Sequence, residues 1–164
     1  MKIGGRRTRE HLRLLAPLFG VLAAIWILRW LLGAAGAPRW ITGALSLTVA
    51  APISILLAVL LMHVRRFGSY ANVVVASLLL NAWTQLLIIA AILISVATGI
   101  ENIYTAPEFS MRSPDPYHVR HIYGHLTFGL ALSTLTGAGV GCFLLFLLRK
   151  TVPMPGDAAK GVQS

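Results

Sequence analysis

The stretch ANVVVASLLLNAWTQLLIIAAILISVATGI, residues 71–100, decides how this chain is built. It carries no charged side chain. At about 1.5 Å of rise per residue, a helix of that length more than covers the roughly 30 Å hydrocarbon core of a bilayer. Its polar residues are not scattered. Ser77, Asn81, Thr84, Gln85, Ser95, Gly99 and, just beyond, Asn102 recur at helical spacing along one side. An amide facing lipid at mid-membrane costs several kcal/mol, so this side is expected to face other helices or a water-filled cavity. Such a stripe, centred on Asn81, Thr84 and Gln85, can glue helices together through bonds of about 0.6–2 kcal/mol each. Alternatively it can line a polar ligand site, a proton path or the seat of a quinone head group.

Three more apolar runs, 14–32, 40–62 and 118–148, are each long enough to cross the same core. The chain therefore reads as an all-α integral membrane four-helix bundle, one transmembrane domain over 14–150. Composition agrees: 57% hydrophobic and 12% charged residues, with a mean hydropathy of +0.77, against about 45–50% apolar and about 25% charged in soluble domains. The formal charge of +9 sits in short tracts between the runs, without a basic stripe interleaved with aromatics. That pattern speaks for topology and against nucleic acid as a partner.

Segment 1–13 carries Lys2, Arg6, Arg7, Arg9 and Arg13 against Glu10 and reads as a basic cytoplasmic tail. Arg6-Arg7 and the small residues at 33–37 suggest an export signal, but the apolar run between them is long and interrupted by Arg29, so an uncleaved first span is expected. The short turn 63–69 contributes Arg65 and Arg66, and the flexible tail 151–164 follows Arg149 and Lys150. On the other side, Arg29, Arg39, Arg112 and Arg120 are nearly balanced by Glu101, Glu108 and Asp115. This asymmetry puts both termini in the cytoplasm and loop 101–117 outside, in a bacterial-type inner membrane.

Within the spans, Arg29 near an outer end flanked by Trp26, Trp30 and Trp40 reads as an anchor that snorkels to the interface. Pro52 near the centre of the second run predicts a kink, with Ser46, Thr48 and Ser54 at hand for the freed carbonyl. Gly137-x-x-x-Gly141 predicts close packing against the third helix or another subunit. Cys142 is the single cysteine, which excludes an intrachain disulfide and dithiol redox chemistry.

The segment HVRHIYGH, residues 118–125, places three of the five histidines at the mouth of the last run. At 100° per residue His118, His121 and His125 fall within about 60° of arc, and Asp115-Pro116 has the form of a helix cap followed by proline at the first helical position. Imidazole suits zinc, copper or iron, and His121 and His125 at i and i+4 can converge on one ion. His118, Glu101, Glu108 or Asp115 can complete such a site. Haem is a second possibility, ligated by the deepest histidine, His125, with His121 close by and Gly129 one turn below leaving room for a macrocycle. A bis-histidine haem is disfavoured because His63 belongs to the opposite surface. No GxSxG elbow, phosphate loop or HExxH occurs.

Function is expected at the level of class. The leading expectation is an accessory or structural subunit of a larger respiratory or photosynthetic membrane complex, partnered by lipid, by other subunits or by copies of itself. The alternatives are a metal- or haem-binding redox protein using the outer histidines, and a small oligomeric transporter using the stripe and Pro52.

Overall fold

The structure, a computed structural model, describes residues 2–67, 69–105 and 118–152. The chain opens with a small hairpin, β1 (Lys2–Ile3) and β2 (Arg6–Arg7), turned at Gly4 and Gly5, both at positive φ. Helix α1 (Thr8–Ala34) follows directly. It begins well before residue 14, so most of the expected basic tail is folded. The local cause is a one-way cap: Arg7 N–H donates to Glu10 Oε2 at 2.6 Å, satisfying an amide that the helix start would otherwise leave open.

The second apolar run is broken, but not at its proline. Helix α2 (Arg39–Ala44) ends, and α3 (Leu47–Val64) starts at Ser46, whose extended backbone and hydroxyl cap the Val49 N–H at 3.3 Å. Pro52 is carried inside α3 near its start. Lacking an N–H, it withholds the bond that Thr48 O would otherwise accept.

Helix α4 (Tyr70–Thr98) ends on Gly99 in the left-handed region, φ 68°. The chain then folds back along the bundle. Ser95 Oγ donates to Ile100 O at 2.7 Å and Asn102 Nδ2 donates to Ala91 O at 2.8 Å, which buries Tyr104 and Thr105. Asn102 thus belongs to this return loop and not to a helical stripe.

The last span comprises α5 (Val119–Gly124), a π-helical turn (His125–Gly129) and α6 (Leu130–Thr151). Four helical stretches, Thr8–Ala34, Arg39–Val64, Tyr70–Thr98 and Val119–Thr151, are long and apolar enough to cross a membrane. Their length and composition fit a multi-pass membrane protein.

Helix α4 is the hub, packed against α1, α3 and α6. Glycines set the closest approach. A Cβ at Gly137 would lie 2.5 Å from Ile55 Cδ1 and 2.6 Å from Ser77 Oγ, and one at Gly141 would lie 2.8 Å from Val73 Cγ1. The small-residue face of α6 therefore seats against α3 and α4 of its own chain. Its other face carries Leu135 and Phe143, both exposed.

Candidate functional site

The amphipathic logic of α4 is realised in the bundle: Ser77, Asn81, Thr84 and Gln85 are all buried. They do not act alike. Ser77 Oγ donates across to Thr134 O at 3.0 Å, tying α4 to α6. Asn81 Nδ2 bonds back to Ser77 O at 2.9 Å and to Ser77 Oγ at 3.3 Å, and Thr84 Oγ1 bonds back to Leu80 O at 2.9 Å. Gln85 reaches the last span, where its Oε1 stands 2.6 Å from His125 Nδ1.

That contact fixes a proton on one nitrogen of the histidine. Gln85 Oε1 can only accept, so His125 Nδ1 carries the proton. In the neutral ring Nε2 is then an acceptor, and it stands 3.1 Å from His121 Nε2, which donates to it. The result is a directed chain from His121 through His125 to Gln85, with the two imidazole centroids 4.9 Å apart. His125 opens the π-helical turn, a feature frequent at functional sites. Gly129 closes that turn; a Cβ there would meet Gly124 O at 3.2 Å and the Gln85 amide at 3.5 Å.

His125 stands between two cavities. Outward lies a vestibule of about 300 Å³ lined by Arg29, Ser46, Thr48, Tyr104, His121 and His125, among others. Inward lies a larger cleft of about 420 Å³ between α3 and α6, floored by Asn81, Thr84 and Gln85 and walled by Pro52, Ile55 and Leu132. Thr48, Ile88 and His125 border both. Gly137, in contact range of Ile55, is part of the lining, which continues to Val140.

Arg29 is a correction to the anchor expected of it. It is 7% exposed and lies with its guanidinium 4.7 Å from the centroid of the Tyr104 ring. The cause is the return loop, which folds a ring over the end of the bundle and gives the cation an aromatic face instead of water. Tyr104 O–H donates to Trp26 O at 3.3 Å, and burial pushes its phenol up to about 12 against the opposing pull of Arg29.

The remaining expected ligands are dispersed. His118 is not helical: its φ of 51° puts it in the left-handed region as the residue before α5, with its ring 6.2 Å from that of His121. Glu101 is exposed and borders a different cavity, beside Trp30 and Ile103. Glu108 and Asp115, with the expected Asp115-Pro116 cap, lie outside the described residues. Among the described residues no three His, Cys, Asp or Glu side chains are grouped to hold one metal ion. For haem the fit is poor, because both His125 nitrogens already have partners and Gly129 opens onto Gln85.

Sequence reasoning passed over three contributors: the π-helical turn, Arg29 as an inward residue, and Tyr104. An arginine inside an apolar run, followed by a polar tract able to return over it, was the available signal. Comparison of the chain with family models, with characterised proteins and with solved structures returns no match.

Proposed function

We propose that this chain is a four-span protein of a bacterial-type inner membrane, with both termini cytoplasmic, that serves as a small-molecule-binding accessory subunit of a larger respiratory- or photosynthetic-type assembly. The observation that carries the reading is His125, held by Gln85 and His121 at the boundary of two cavities. Pockets that bind small molecules are concave and mostly apolar, with a few convergent polar groups, and the cleft has that composition. The accessory role draws support from α6, which buries only Gly141 and Leu145 and leaves large apolar side chains facing outward. That face suits neighbouring membrane helices.

Purification in mild detergent tests the reading. A partner that co-elutes, and a bound organic ligand lost on His125→Leu, are the expected results. A stable monomer with neither partner nor ligand would sink it.

A second reading, a metal site, is favoured by one distance. Two nitrogens each bound at about 2.0–2.1 Å to a tetrahedral ion stand about 3.3 Å apart, close to the 3.1 Å between His121 Nε2 and His125 Nε2. Elemental analysis of the same sample decides: about one equivalent of zinc, copper or iron that disappears in the His121→Ala, His125→Ala variant would favour metal over an organic ligand.

A further inference from the structure

The inner cleft has a chemistry specific enough to name the class of its occupant, and this inference rests on the reading of that cleft as a ligand site. Its walls are apolar: Leu47, Ile55, Leu56, Leu132 and Val140 line them. On its floor, Asn81 and Gln85 are 1% and 8% exposed, so whatever they face lies inside the bundle.

Their own bonds determine what each presents. Gln85 gives its Oε1 to His125 Nδ1–H, and its NH2 takes no acceptor among the described residues. Asn81 does the reverse: its Nδ2 donates to Ser77, and its Oδ1 takes no donor among the described residues. The floor therefore offers one neutral donor and one neutral acceptor, one helical turn apart, or about 5–6 Å between Cβ atoms. Among the described residues no lysine, arginine or carboxylate lines the cleft, and the bonds that His125 makes are those of a neutral ring. A carboxylate or phosphate head group would find no counter-charge there. A ring with one hydroxyl to offer Asn81 Oδ1 and one further oxygen to accept from Gln85 Nε2–H satisfies the pair. About 420 Å³ accommodates such a ring and the first part of an apolar tail.

We propose that the cleft binds a quinone-class lipid in its hydroquinone form, one ring oxygen accepting from Gln85 Nε2–H and the other's hydroxyl donating to Asn81 Oδ1, with His125 positioning Gln85.

The test uses the full chain in mild detergent and a decyl-tailed benzoquinone carrying ¹³C at the ring carbonyls, in oxidised and reduced forms. Saturable binding of both forms is expected, tighter for the hydroquinone, with a downshifted carbonyl stretch for the bound quinone. Binding should weaken at least tenfold in Gln85→Leu and in Leu132→Trp, which fills the cleft from its exposed wall without touching the polar floor. His125→Leu should lose the infrared downshift even where the protein stays folded. Binding unchanged in both cleft variants would overturn the proposal. If palmitate binds and the quinone does not, the neutral-ring assignment fails while the cleft stands as a ligand site. If neither amphiphile binds, the ligand-site reading falls with it.

Discussion

Two histidines sit within the bundle at opposite ends, and they are used in opposite ways. His11, 1% exposed near the start of α1, is closed in. Its Nδ1 stands 3.1 Å from Arg7 O and its Nε2 3.0 Å from Asn72 Oδ1, so each nitrogen faces a protein oxygen. Asn72 cannot turn, because its Nδ2 donates to Gly4 O and Phe67 O, and the Phe67 ring meets His11 edge-on at 5.1 Å. His125 is bonded just as fully, but to side chains, Gln85 and His121, and it borders two cavities. A histidine whose partners are pinned by backbone is a strut. One whose partners are side chains on a cavity wall can exchange them for a ligand.

Four results would break or sharpen that contrast. The largest effect is expected at the closed end. Asn72→Ala leaves a buried histidine nitrogen and two carbonyls without their partner and should cost about 3 kcal/mol, read as a lowered unfolding midpoint. Gly137→Ala, on the wall of the open site, drives a methyl into Ile55 and Ser77. It should cost about 2 kcal/mol and misalign α6 against α4, which unfolding measurements would detect.

His125→Leu should change stability by less than about 1 kcal/mol, since its partners face cavities able to admit water, while ligand retention is lost. A loss as large as that of Asn72→Ala would make His125 a strut too. The last result concerns Tyr104, which lines the vestibule. Tyr104 titrates near 12 in place of its ordinary 10, so the folded chain keeps a proton that the unfolded chain releases between those values. Its contribution to stability is full below pH 10 and lost as pH rises through 12. Phenolate absorbance should register the raised midpoint, and a midpoint near 10 would mean that the ring is not covered.

The contrast also marks what the sequence disclosed. The four apolar helices were legible because a bilayer demands long uncharged runs, and the inward face of α4 was legible because helical periodicity puts Ser77, Asn81, Thr84 and Gln85 together. The break at Ser46 was hidden behind Pro52, the stronger local signal, because a capping serine is indistinguishable in sequence from one facing a neighbour. The π-helical turn at His125 ends on Gly129, which lies against Gln85 of α4, a tertiary matter with no signature along the chain. His118 and His121 were expected on one helical face, but the left-handed backbone of His118 removes it from that helix. His11 went unremarked within a basic tract, because its role depends on Asn72, sixty-one positions away.

The most direct test of the account is the rate at which diethyl pyrocarbonate acylates each histidine of the folded protein, resolved by peptide mass spectrometry. An open site and a closed strut predict different rates. His121 and His125 should react at rates approaching that of half-buried His63 and be protected by bound ligand, while His11 stays unmodified until the protein unfolds. His125 reacting as slowly as His11 would contradict the central claim that it stands at a ligand-accessible junction.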